Sequence, residues 1–206
     1  DAAGRPVAIA GDIRDVTEQR AAEEARGRQL RTLDRLVKVS RQVLAEATVD
    51  GLLTSVVDAA RALTGARIGT AGHGHVDGSF RVGYASRSPD VPPCLPGGPF
   101  GAVRGGVYED LIGDQPTVRL TDAELRSHPH WWGLPEGHVP LRGLLGARLV
   151  DRDGRPRGLV MVSDKAEGEF TAEDEAFPGP LAALTSLGLQ HIEARQRVEE
   201  QRRLLE

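Results

Sequence analysis

Residues 143–165, GLLGARLVDRDGRPRGLVMVSDK, decide the fold of this chain. They consist of two apolar runs, 143–150 and 157–165, on either side of the sequence DRDG at 151–154. Asp-Gly between two such runs is a strong signal for a β-hairpin, because the turn needs residues that tolerate a positive φ. The stretch therefore predicts two neighbouring antiparallel strands in the middle of a sheet.

Helices and further strands are predicted on the N-terminal side of this hairpin. Apolar residues at three- and four-residue steps predict a long helix over residues 18–47 and a second helix over 49–63, which ends at Gly65. Strand patterns follow at residues 66–72, 79–86 and 117–120. This order predicts an α+β fold, in which an antiparallel sheet has its helices on one face and is flanked by long N- and C-terminal helices.

A segment rich in proline and glycine separates two of these strands. The many prolines and glycines of residues 87–106 exclude a helix or a central strand in this segment. A loop of this length inside a compact domain is usually functional or mobile. Residues 107–112 then predict a short helix that stops at Gly113.

The last part of the chain predicts a helix with a break near its start. Thr171 can cap a helix, and Asp174 three positions later completes a capping box. Pro178 follows one turn later, and an interior proline loses a hydrogen bond and clashes with the preceding turn. We therefore expect a break at Pro178 and a final helix from about Leu181 to Glu206.

Composition narrows the function classes. The formal net charge of −4 argues against a nucleic-acid-binding protein, which would normally carry a basic patch. The single cysteine, Cys94, excludes an internal disulfide and a cysteine-based zinc site. No apolar run approaches the roughly 20 residues of a membrane span, and no nucleophile, P-loop or metalloprotease motif occurs. The fragment is therefore expected to be cytoplasmic and not to be an enzyme.

Two segments resemble known signalling families. The sequence AGDIRDVTEQR at residues 10–20 resembles the end of a PAS domain, whose last strand leads into a helix. The LLGA and GLV segments of the hairpin and the FTAED sequence at 170–174, together with the predicted element order, resemble a GAF domain over about residues 34–195. The combination implies a bacterial sensor protein of the two-component type, whose output module, most often a histidine kinase, lies downstream.

These resemblances divide the chain into four expected parts. Residues 1–17 are the end of the upstream PAS domain, 18–47 a signalling helix, 48–195 the GAF sensor domain, and 196–206 the start of a C-terminal coiled coil. Regular apolar spacing in the terminal helices suits a two-chain coiled coil. A homodimer through these helices is therefore expected.

The loop HPHWWGLPEGHVPLRGLLG at residues 128–146 carries the most specific site signal. It resembles a GAF subgroup that includes haem-containing oxygen and redox sensor kinases, and His138 matches their proximal iron ligand. The resemblance implies an apolar slot lined by Leu141, Leu144, Leu145 and the strands. Met161 aligns with the tyrosine that faces the bound gas in those proteins, so it is either a core residue or a second axial ligand.

Trp131 and Trp132 complete the predicted ligand site. Two adjacent tryptophans do not both point inward, so one of them is expected to cover the pocket or to face a partner. The histidine pairs at 73 and 75 and at 128 and 130 are expected to be loop residues rather than metal ligands.

Three functions stay open at this point. The first is a sensory GAF domain that binds a small ligand or cofactor and relays its state through dimeric helices. The second is a haem-based redox or gas sensor with His138 as proximal ligand. The third is a ligand-free dimerisation and spacer module.

Overall fold

The computed structural model of the chain describes residues 17–76, 79–92, 107, 115–134 and 140–205. The predicted PAS end before Thr17 and the helix predicted over 107–112, apart from Val107, lie outside the described residues. The chain divides into two units, residues 1–34 and 35–206. Of the first unit, the structure describes the beginning of a helix, which exposes Leu30 and Leu33.

The elements of the chain follow the predicted order. The helices are α1 (Thr17–Leu44), α2 (Val49–Thr64), α3 (Asp122–Ser127) and α4 (Pro178–Leu205). The strands are β1 (Ala66–Val76), β2 (Ser79–Arg87), β3 (Thr117–Leu120), β4 (Leu144–Val150) and β5 (Pro156–Lys165). They form one antiparallel five-stranded sheet in the order β2-β1-β5-β4-β3, so the predicted α+β fold is confirmed.

The β4–β5 hairpin forms as predicted. Gly154 takes the positive φ of 78° that the turn requires. The Asp151 carboxylate accepts hydrogen bonds from the backbone N–H groups of Asp153 and Arg155, both at 2.9 Å. A local side-chain bond of this kind substitutes for a backbone turn.

Helix α2 also agrees with its sequence signals. The Thr48 hydroxyl accepts a hydrogen bond from the Gly51 N–H at 3.1 Å, which satisfies one of the free donors at the start of the helix. Gly65 ends the helix with a φ of 68°, where a Cβ would be unfavourable.

A short 3₁₀ helix, Asp174–Ala176, separates β5 from α4. Thr171 and Asp174 bond each other as a capping box requires, with the Thr171 N–H donating to the carboxylate at 2.7 Å. Helix α4 then begins at Pro178, three residues before the predicted start. The break is confirmed, and the start is earlier because N–H groups in the first turn have no partner within the helix, so proline is tolerated there.

The first face of the sheet is covered by α2 and α4. Their buried side chains pack against those of the sheet and form a hydrophobic core with them, called here the first cluster. Its largest fully buried members are Leu52, Leu53, Leu145, Leu149, Phe177 and Leu181. The end of α1 joins it through Val43, with Leu36 and Val39 packed against it.

Helix α3 lies apart from α2 and α4. Its Leu125 is fully buried in a separate cluster on the opposite side of the sheet. The helix is only 6 residues long and is set by a capping box between Thr121 and Glu124. Within the described residues, no helix has the length and apolar character that crossing a bilayer would require.

Candidate functional site

The face of the sheet that α2 and α4 leave uncovered, called here the second face, is defined by strand register. Thr70 of β1 pairs with Met161 of β5, and Ile68 pairs with Ser163. Residues that pair directly across antiparallel strands lie on the same face. These four side chains therefore share the second face.

The apolar part of the second face is covered by loops and α3 instead of by long helices. Its buried members, the second cluster, are Ile68, Val91, Val107, Leu125, Leu141, Leu144, Leu159 and Met161. Partly buried side chains packed against it are Val118, Leu120, Trp131 and Leu134. Covering segments of this kind can open more easily than a packed helix, because loops make fewer buried contacts.

Four of the predicted site residues can be placed relative to this cluster. Leu141 and Met161 lie in it together, and Trp131 packs against it. Trp132 points away and is 71% exposed. His138 lies outside the described residues, so its role as an iron ligand stays a prediction.

Leu145 requires a correction. It is fully buried in the first cluster, on the face covered by α2 and α4, and its neighbour Leu144 lies in the second cluster. Successive side chains of a strand point to opposite faces. Leu145 therefore does not line the same surface as Leu141 and Met161.

Two hydroxyl groups on the second face were not predicted from the sequence. The Oγ1 of Thr70 and the Oγ of Ser163 are buried and have no hydrogen-bond partner in the described part of the chain. A buried hydroxyl without a partner costs about 1–3 kcal/mol. The available signal was a serine inside the apolar run VMVSDK at residues 160–165.

An ion-pair network surrounds the buried Asp164 carboxylate near the end of β5. The Asp164 carboxylate binds Arg67 Nη1 at 2.7 Å and also pairs with Arg142 Nε, and Arg67 binds Asp90 at 2.8 Å. The hydrogen bond that Arg142 donates to Asp164 and the negative charge of Asp164 raise the pKa of Arg142. Asp90 follows β2 and Arg142 precedes β4, so Asp164 fixes both loop ends to the sheet.

His73 is not a loop residue, contrary to the prediction. It lies in β1, and its Nε2 is 3.5 Å from Glu193 Oε1 of α4, on the first face. His128 and His130 do lie after α3, with ring centroids 5.6 Å apart. Among the described residues, no group of three or more histidine, cysteine or acidic side chains is arranged to hold a metal.

His73 is expected to make the protein less stable in mild acid. Burial lowers its pKa from the ordinary value of 6.5, and Arg157 acts in the same direction while Glu193 opposes it. The unfolded chain then binds the proton more tightly, so this contribution to stability is complete above about pH 6.5 and is lost below it. The free energy of unfolding should fall by up to about 1.4 kcal/mol per pH unit in that range.

Urea titrations between about pH 7.5 and about pH 5 measure this effect. In the His73→Phe variant, the part of the pH dependence of the unfolding free energy that comes from His73 should disappear. His191→Gln, at an exposed position of α4, is the matched control and should keep the wild-type slope. Equal slopes in all three proteins would contradict the assignment.

Comparison with known proteins agrees with this architecture. A family model described as GAF domain matches residues 46–190. The chain belongs to the GAF domain family. GAF domains are regulatory and sensory domains that occur in phytochromes and sensor kinases. No curated protein sequence matches this GAF domain.

Solved structures similar to this GAF domain are distant in sequence. The GAF domain of a phosphoenolpyruvate-protein phosphotransferase from Coxiella burnetii is 18% identical, with a TM-score of 0.64, over 81% of this chain and 96% of that chain. Free methionine-R-sulfoxide reductase from Neisseria meningitidis is 16% identical, with a TM-score of 0.61, over 80% and 91%. The chromophore-binding domain of a Stigmatella aurantiaca bacteriophytochrome is 13% identical, with a TM-score of 0.59, over 78% and 60%. These likenesses establish the fold alone.

Proposed function

We propose that this GAF domain binds a small molecule on the second face of the sheet and relays its presence to a signalling output. The observation that carries the proposal is the second cluster itself, an apolar surface covered by loops and a helix of 6 residues. Ligand sites are typically apolar surfaces with a few polar groups, and the Thr70 and Ser163 hydroxyls are such groups.

Strand β5 connects this site to α4. Met161 faces the second cluster, whereas its neighbours Val160 and Val162 face the first cluster. Leu181 and Leu189 of α4 belong to that first cluster as well. A ligand that binds more tightly to one position of β5 therefore also shifts the position of α4. Such a difference in affinity between two states is what a two-state relay needs.

The single methionine makes the ligand proposal directly testable. A ¹³C-methyl label on Met161 reports on the second face alone. Small molecules released from freshly purified protein, identified by mass spectrometry, should shift the Met161 methyl resonance when they are returned to the stripped chain. If none of them moves this resonance, and none of a broad set of small molecules does, the second face is not a ligand site.

Haem is the second candidate, and the position of Met161 supports it. Its thioether is buried among the apolar side chains of the second cluster, which also includes Leu141, three residues after His138 in the sequence. Histidine and methionine together are an established haem ligand pair. A Soret band that persists after hemin addition and is lost in His138→Ala would favour this candidate, and no band would eliminate it.

We also propose that the protein is a homodimer whose terminal helices carry the signal to an output module, such as a histidine kinase. Leu187, Val198 and Leu205 of α4 are exposed, the last two at 65% and 88%. They fall at a and d positions of one heptad register, which suits a parallel coiled coil with a second copy of the chain. Val37 and Leu44 of α1 are also exposed and lie one heptad apart.

Val198→Lys is expected to weaken the dimer at least about tenfold, because two lysines would face each other in the seam. Gln196→Lys adds the same charge on the other side of α4 and should leave the dimer constant unchanged. Sedimentation equilibrium at micromolar concentration measures both constants. A wild-type chain that is monomeric under these conditions would contradict the proposed seam.

A further inference from the structure

We propose that the buried end of the ligand is uncharged and accepts hydrogen bonds from Thr70 and Ser163. The ligand class is then a mainly apolar small molecule with a carbonyl, an amide or a ring nitrogen at its inner end. This inference rests on the proposed function, since it concerns the second face of the sheet. It adds the chemistry that the site recognises.

The two hydroxyls are placed to contact one molecule. Thr70 pairs with Met161, and Ser163 lies two residues after Met161 on β5. Such diagonal neighbours across two antiparallel strands are about 7 Å apart. Both side chains share the second face with Ile68 and Leu144, which lie in the second cluster. A ligand seated against Met161 is therefore within reach of both hydroxyls.

Buried hydroxyls on the helices contrast with these two. Thr64 donates to the Ala60 carbonyl at 2.7 Å, and Thr185 donates to the Leu181 carbonyl at 2.7 Å. Thr70 Oγ1 and Ser163 Oγ have no such partner among the described residues. Native proteins seldom leave buried polar groups unsatisfied, and those that remain call for an ordered water or a ligand. Two such hydroxyls lie near each other on the face that is covered by loops and a helix of 6 residues, and this combination points to a ligand.

The charges near the second face argue for a neutral ligand. The second cluster consists of apolar side chains. Arg87, which pairs with Ile68 across β1 and β2, donates to the Val91 carbonyl at 2.6 Å. The Asp164 carboxylate is already bound by Arg67 and Arg142. An ionised group at the inner end would be buried among the apolar side chains of the second cluster, and Arg87 on this face is separated from Ser163 by Ile68 of β1. Burial of a charge without an adjacent partner is unfavourable.

Three probes of nearly equal shape test the inference. Acetophenone carries a carbonyl, α-methylstyrene replaces it with an apolar carbon, and benzoate replaces its methyl ketone with a charged carboxylate. Dissociation constants are measured on the full chain from the Met161 methyl resonance. The wild type should bind acetophenone about fivefold to tenfold tighter than α-methylstyrene, and benzoate should bind at least about tenfold more weakly than acetophenone.

The double variant Thr70→Val with Ser163→Ala should lose this preference and bind acetophenone and α-methylstyrene about equally. Each single variant is measured as well, in case the double variant misfolds. Each should change the ratio of the two dissociation constants by about half as much as the double variant on a logarithmic scale. Without ligand, the double variant should melt at a higher temperature than the wild type, because two unsatisfied groups have been removed. Thr185→Val, whose hydroxyl already has a partner, should show no such rise and should keep the wild-type preference.

The outcomes separate the inference from the proposed function. Equal affinity of the wild type for acetophenone and α-methylstyrene, or an unchanged preference in the double variant, overturns the hydrogen-bonding role while the second face remains a ligand site. Benzoate that binds as tightly as acetophenone overturns the neutral ligand class. A Met161 resonance that none of the three probes moves, in wild type or variants, counts against the proposed ligand site itself.

Discussion

Gly158→Ala is expected to destabilise the domain by about 3 kcal/mol or more, which is the upper part of the range for overpacked interiors. Gly158 is buried in β5, opposite His73 of β1. A Cβ at this position would overlap the carbonyl oxygen of Gly72 and would lie 3.1 Å from Leu149 Cδ1. A backbone oxygen cannot rotate away, so β1 and β5 must separate at the end of their ladder.

Urea unfolding followed by circular dichroism measures this loss. Gly179→Ala is the matched control, because its Cβ would meet only Thr117 Cγ2 at an ordinary 3.7 Å. It lies in the first turn of α4 and should change the free energy of unfolding by less than about 1 kcal/mol. A Gly158→Ala variant as stable as Gly179→Ala would show that the two central strands do not approach as closely as the structure indicates.

The parts of the fold that follow from local chemistry were predictable from the sequence. The Asp-Gly turn between two apolar runs fixed the β4–β5 hairpin, and Gly65 fixed the end of α2, because both depend on residues that tolerate positive φ. Pro178 predicted the break before α4. It did not indicate on which side of the break the helix begins, since proline is also favourable in the first turn of a helix.

The lining of the site was harder to predict, because β4 and β5 are buried on both faces. A strand covered on both faces reads as a continuous apolar run, which carries no sign of which residue faces which side. The sequence therefore predicts both Leu144 and Leu145 in the slot, although only Leu144 faces the second cluster. Only the strand register assigns Leu144 to the second cluster and Leu145 to the first.

The hydroxyl of Thr70 could not be singled out from the sequence, and Ser163 differed from its neighbours only as a serine that follows an apolar run. Serine and threonine are common in strands and usually find a partner. Whether a given hydroxyl has a hydrogen-bond partner depends on which side chains the folded chain places next to it. For the same reason, His73 looked like one half of a loop pair, although it faces Glu193 of α4 from inside β1.

Asp164→Ala is the second change with a large expected effect, a loss of about 3 kcal/mol. The carboxylate is buried and binds Arg67 and Arg142, so its removal takes an ion-pair partner from both guanidinium groups and leaves Arg67 with Asp90. Breaking a fully buried pair costs about 3–5 kcal/mol, and a smaller value applies here because Arg67 and Arg142 are 26% and 53% exposed. Asp164 also has a φ of 55°, which alanine tolerates less well, at about 1 kcal/mol.

Asp164→Asn separates the two contributions. Asparagine tolerates the left-handed conformation and keeps an acceptor oxygen, so its cost of about 1–2 kcal/mol should report the charge alone. Hydrogen exchange adds a readout of position. In both variants, residues 88–92 and 140–143 should exchange faster, because Asp164 holds the two arginines that tie these loop ends to the sheet. Destabilisation without faster exchange in these loops would mean that Asp164 supports the sheet and not the cover of the second face.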